Sequence, residues 1–121
     1  MRAEERDAAY LWDMREAARD ALRILGKLDA REFVAPEHET VRLAIERKLE
    51  VLGEAARRVS EPLRTEHPDI PWKDIVGLRN VITHQYEKVD YKVLHGVVRG
   101  RIPDLLRQLD PLVPQPPEDD A

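Results

Sequence analysis

Arg79, Asn80, His84 and Tyr86 bring a guanidinium, an amide, an imidazole and a phenol within eight residues. Phosphodiester chemistry uses such a set. A histidine titrates near neutrality, so it can take a proton from a ribose hydroxyl or give one to a departing oxygen. An arginine, planar and permanently charged, stabilises the extra negative charge on a pentavalent phosphorus. The chain offers no rival chemistry. It has no cysteine, which excludes disulfides and thiolate catalysis, and it has no Gly-rich phosphate loop. His38, His67 and His95 have no metal-ligand spacing with one another or with His84, and read as surface or loop residues. Neither a metal nor a cofactor is expected. Each residue of the set is commonplace on a helix surface, and only their joint spacing singles them out.

Four aliphatic stripes supply the elements that must position these side chains. Leu11, Met14, Ala18, Leu22, Leu25 and Leu28 recur every three or four residues, predicting a helix over 5–28. Asp29 to Ala35 reads as a loop whose Phe33 and Val34 tuck against the bundle. Pro36, followed by Glu37 and Glu39, suits a helix start. The stripe Val41, Ile45, Leu49, Leu52, Ala56 and Val59 carries that second helix to Ser60. Gly53 within it costs about 1 kcal/mol relative to alanine, which close approach of another helix would offset. Three prolines between Glu61 and Pro71 mark a connector. A third helix runs from Trp72 through Ile75, Leu78 and Ile82 into the motif. Asp90 is the expected N-cap of a fourth, with a kink or break at Gly100 and Pro103. No strand-like alternation occurs. The reading is an all-α, antiparallel four-helix bundle, with one domain over residues 1–110 and a disordered, Pro-rich acidic tail over 111–121.

On one continuous helix Arg79 and Tyr86, seven residues apart, share a face, whereas His84 lies about 140° round from Arg79. Two arrangements would reconcile Arg79 with His84. The helix can end near His84, or a two-fold dimer can set two copies of the motif face to face. Asn80, four residues before His84, falls on its side of such a helix and can orient the ring or contact phosphate.

Composition limits what this domain does. Charged residues make up 36% of the chain and aromatics number six, so aliphatic side chains and alanine fill the core while solvated faces surround it. No apolar run reaches the ~18 residues needed to span a bilayer, and no signal segment opens the chain, so the cytoplasm is the expected compartment and no membrane partner is expected. The net charge of −4 disfavours strong non-specific binding to nucleic acid. Its distribution is uneven, however. Residues 73–107 hold seven basic against four acidic side chains, and the four charged residues from Gln108 onward are all acidic. The motif region is therefore mildly basic.

The Arg-x4-His-x-Tyr spacing, preceded by Pro71-Trp72 and Gly77-Leu78, resembles the signature of HepT-like ribonuclease toxins of the HEPN-domain class. The segments Leu52-Gly53-Glu54-Ala55-Ala56 and Ile70-Pro71-Trp72-Lys73-Asp74-Ile75 are similar to that family too, and the resemblance covers residues 4–110. It implies a metal-independent endoribonuclease toxin acting on RNA, with Arg79 and His84 catalytic, Asn80 and Glu54 supporting, and a composite site in a homodimer. It also implies a partner, an MntA-like nucleotidyltransferase antitoxin that silences the toxin by transferring AMP to Tyr86. Such a transfer adds charge and bulk where the substrate phosphate must sit. Arg57 and Arg58, beside Glu54, would extend the basic lining, and Trp12 and Trp72 read as core or interface anchors. The alternative is a catalytically silent dimeric helical module that binds a nucleotidyltransferase.

Overall fold

The computed structural model describes residues 2–83 and 88–114. Its helices are α1 (Ala3–Leu25), α2 (Ala30–Phe33), α3 (Glu39–Arg58), α4 (Glu61–Glu66), α5 (Trp72–Val76), α6 (Leu78–Ile82), α7 (Tyr91–Gly96) and α8 (Ile102–Leu109). A 3-10 turn, Pro36–His38, leads into α3, and a π-helical turn, Val97–Arg101, joins α7 to α8. Among the described residues there is no sheet, only one isolated antiparallel bridge between Thr83 and Val89. The chain is all-α.

Side-chain pairs fix the helix directions. Asp7 of α1 accepts hydrogen bonds from the Ser60 amide (2.8 Å) and hydroxyl (2.5 Å), while Asp20 pairs with Lys48 at 2.9 Å. Numbers that rise along α1 fall along α3, so the two helices are antiparallel. The same order relates α1 to the last helices, where Leu28 meets His95, Gly26 meets Arg99 and Arg19 meets Asp110. Ala17, Ala18 and Ala21 of α1 and Ala55 and Ala56 of α3 are buried. Their small side chains let these two helices make the most extensive contact in the fold.

Local chemistry explains where the elements depart from the expected spans. Helix α1 stops at Leu25, three residues early, because Gly26 takes φ 56°, a left-handed conformation that glycine adopts without strain. The expected loop after it contains a helical turn, held by a capping box in which Asp29 and Glu32 each accept the other's amide. Phe33 is fully buried there, whereas Val34 stays exposed. The expected connector also holds a helix: Pro62 lies in the first turn of α4, where its missing N–H is not needed. The expected third helix is divided at Gly77 into α5 and α6.

Other expectations hold. Asp90 caps α7, its carboxylate accepting the amides of Lys92 (3.1 Å) and Val93 (3.2 Å). The interruption expected near Gly100 and Pro103 is the π-helical turn. A Cβ on Gly53 would sit 3.2 Å from the carbonyl oxygen of Ile75, so the absence of a side chain on α3 lets α5 come close. The described chain continues past residue 110, with Val113 buried on the core at 4% exposure. Residues 115–121, where most of the acidic tail was placed, lie outside the described residues.

Candidate active site

Arg79 and Asn80 stand exposed on α6, whose neighbouring residues Leu78 and Ile82 are buried. This short helix is thereby pinned to the core by two aliphatic side chains while its polar pair faces outward. Arg79 lines a small groove with Leu78, Ile82 and Val89 on one side and Glu46, Leu49 and Glu50 of α3 on the other. The floor is aliphatic, and the charged groups of the lining are one guanidinium and two carboxylates.

Helix α6 ends at Ile82, and Thr83 is extended, with φ −91° and ψ 152°. Thr83 then bridges Val89, and the Asp90 amide donates to the Ile82 carbonyl at 2.6 Å. The chain therefore enters and leaves residues 84–87 through a pinched base beside the groove. His84 and Tyr86 lie within that segment, outside the described residues. Of the two arrangements that would reconcile Arg79 with His84, termination of the helix is present. For the same reason the helical-face relations of Arg79 to Tyr86 and of Asn80 to His84 do not apply beyond Ile82.

The Ribonuclease HepT-like family matches residues 14–112, which includes the whole groove and its pinched base. The chain belongs to the HepT-like ribonuclease family. It is 34% identical over 102 residues to a Methanocaldococcus jannaschii protein with a provisional RNase name, covering 84% of this chain and 92% of that protein. A second such protein of that organism is 29% identical over 105 residues, covering 87% of this chain and 85% of the relative. A Thermococcus cleftensis protein, provisionally named ribonuclease HepT, is 29% identical over 103 residues, covering 85% and 92%. No solved structure matches the chain.

Other residues of this HepT-like chain fall in distinct places. Glu54 is exposed, pairs with Arg57 at 3.5 Å, and lines an adjoining hollow with Tyr10, Asp13, Arg47 and Arg58. The carboxylates in the Arg79 groove are instead Glu50 and Glu46, one and two turns earlier on α3. Glu50 is exposed and ion-paired with Arg47 at 3.4 Å. Glu46 is half-buried, and its Oε2 accepts the Tyr91 hydroxyl at 2.9 Å. The Tyr91 ring packs edge-on against Phe33 and lies under the Arg42 guanidinium. Burial pushes the Tyr91 phenol above its ordinary pKa, and the Glu46 carboxylate adds to that, while Arg42 acts in the opposite sense. Sequence spacing did not reveal this pair. The available signal was Arg42, Glu46 and Glu50 at four-residue intervals, which puts three charges on one helical face.

The remaining histidines and tryptophans have structural partners. The His38 ring donates to the Glu32 carbonyl, and the His95 ring donates to that of Leu28 while packing on Phe33. His95 is thus a partly buried tie between α7 and the loop after α1 rather than a surface residue. Trp72 is buried and donates its indole N–H to the His67 carbonyl, so it anchors the core. Trp12 is 37% exposed, with the guanidinium of buried Arg15 at 4.7 Å from its ring. No helix among the described residues is long and apolar enough to cross a membrane.

Proposed function

We propose that this protein is a metal-independent endoribonuclease toxin, working as a two-fold homodimer in which two copies of the motif share a cleft. The observation that carries the reading is the placement of Arg79 in a small groove whose edge is the base of the segment bearing His84. Membership of the HepT-like ribonuclease family supports the same chemistry. A ribose 2′-hydroxyl attacks the adjacent phosphorus, His84 transfers a proton, and Arg79 stabilises the charge that accumulates on the phosphoryl oxygens. Asn80, next to Arg79 and equally exposed, positions the phosphate. Leu43 and Val93 are exposed apolar side chains on α3 and α7, the helices that carry Glu46 and Tyr91, and they favour a second copy packing alongside the groove.

Control falls to a nucleotidyltransferase that attaches AMP to Tyr86. The added phosphate competes for the guanidinium that the transition state needs, and the nucleotide obstructs entry of RNA. The test is cleavage of RNA by purified protein in EDTA. His84→Ala and Arg79→Ala each remove cleavage by two orders of magnitude or more with the fold intact, and the products end in 2′,3′-cyclic phosphate. A strict Mg²⁺ requirement, or undiminished activity in His84→Ala, overturns the mechanism. Binding of the nucleotidyltransferase without RNA cleavage identifies the silent helical module instead.

A further inference from the structure

We propose that Glu46 is the second acid–base group of this groove, the one that removes the 2′-hydroxyl proton; the inference rests on the ribonuclease reading above. Internal transesterification moves two protons, one off the attacking 2′-oxygen and one on to the departing 5′-oxygen. One imidazole holds only one protonation state at a time, so a concerted step calls for a second titratable group. Arg79 cannot serve, because a guanidinium does not give up its proton in proteins. Of the two carboxylates in the groove lining, Glu50 is exposed and held by Arg47. Glu46 is half-buried and fixed from behind.

The fixing is specific. Tyr91 donates to Oε2 of Glu46, which leaves the other carboxylate oxygen as an acceptor. The phenol itself is immobilised by fully buried Phe33, 6.2 Å away between ring centroids, and by Arg42 above the ring. Among the described residues, the charged groups that line the groove with Glu46 are Glu50 of its own helix and Arg79 of α6, while Tyr91 of α7 bonds to it and Arg42 stands over the Tyr91 ring. Arg42 donates from one guanidinium nitrogen to the carbonyls of Phe33 and Ala35, both at 2.7 Å, which holds it in place above the phenol. A base locked in one orientation loses little entropy on reaching the transition state.

In the proposed step the Glu46 carboxylate takes the 2′-hydroxyl proton as the 2′-oxygen bonds to phosphorus. The bond from phosphorus to the 5′-oxygen breaks, and the departing oxygen takes a proton from the His84 imidazolium. The products are a 2′,3′-cyclic phosphate and a 5′-hydroxyl, and Arg79 bears the charge in between.

The experiment is kcat and KM as a function of pH on a short RNA oligonucleotide in EDTA. Glu46→Gln keeps an oxygen to accept the Tyr91 hydroxyl, so the fold survives, as thermal melting will show. It is expected to lower kcat roughly 10²- to 10⁴-fold with little change in KM and to abolish the acid limb of the profile. Tyr91→Phe removes the hydrogen bond that orients the carboxylate, so kcat falls by less than in Glu46→Gln while the fold is retained. Wild-type kcat in Glu46→Gln with its acid limb intact overturns the inference, and loss of activity in Tyr91→Phe alone reduces the pair to a brace. Cleavage that depends on His84 but not on Glu46 defeats only this inference. No cleavage by the wild-type protein defeats the ribonuclease reading and this inference with it.

Discussion

The Tyr91 hydroxyl is committed to Glu46 and half-buried, which makes its proton harder to remove in the folded chain than in the unfolded one. The consequence for stability has a definite sign. Above the ordinary value of 10.0 the unfolded chain has released this proton while the native chain retains it, so stability falls as pH rises through that point. The contribution is fully present at lower pH. Urea unfolding between about pH 9 and 11 should show the decline in the wild type and a flatter curve in Tyr91→Phe. Asp7 gives a second test, since it accepts both the amide and the hydroxyl of Ser60 while 7% exposed. Asp7→Ala leaves those donors unpaired and should cost about 1–3 kcal/mol by urea denaturation, with RNA cleavage per folded molecule unchanged. Arg79 and Asn80 were legible from sequence because they belong to a local spacing. Glu46 and Tyr91 were not, because they are 45 residues apart on different helices and meet only once α3 and α7 are packed.

Helix α3 and helix α7 each carry a glycine, and the two should respond oppositely to alanine. Alanine at either position gains roughly 0.5–1 kcal/mol of helix propensity. At Gly96 nothing lies within 4 Å of the added methyl, so Gly96→Ala should stabilise by that amount. At Gly53 the methyl presses on the Ile75 carbonyl, a backbone atom that cannot rotate away. Gly53→Ala should therefore lower the melting temperature and, by displacing α5 and with it α6, reduce cleavage. Removing the Asp90 cap should cost about 1 kcal/mol. It should also slow cleavage, because the cap fixes the start of α7, from which the backbone amide of residue 90 reaches Ile82 at the base of the 84–87 segment; Asp90→Asn, another good cap, should retain both. The aliphatic stripes and the Asp90 cap could be read in advance because each depends on neighbours in sequence, and the close approach at Gly53 because a glycine inside a helix costs stability that a tight contact offsets. The division at Gly77 and the helix behind Pro62 could not. Glycine and proline punctuate a chain without saying whether they end a helix, begin one or divide it.

At the scale of the whole molecule the fold class followed from four aliphatic stripes, and antiparallel packing from their short connections. What the stripes leave open is which surface remains for a second copy. Leu43 is 54% exposed and Val93 39% exposed, on the two helices joined by the Glu46–Tyr91 bond. The proposed dimer predicts that light scattering at micromolar concentration gives twice the monomer mass. Replacing both Leu43 and Val93 with aspartate should yield a folded monomer with much reduced cleavage, and a variant that stays dimeric places the interface elsewhere.

The turn from Val97 to Arg101 is closed by the Ile102 amide donating to the Val97 carbonyl, five residues back. It therefore holds one residue more than an α-helical turn of the same height. That surplus works as slack in chain length. Taking one residue out of α3 would swing every later side chain by about 100°, but taking Gly100 out of the wide turn leaves Ile102, Leu105 and Leu109 on the face they already bury. Pro103 sets the condition. Its ring needs room beside the carbonyl four residues before it, and the wide turn gives that room where a regular α-helix would not. Deletion of Gly100 should accordingly destabilise the chain strongly while Pro103 is present and be tolerated in Pro103→Ala, so the extra residue becomes dispensable only once the proline is gone.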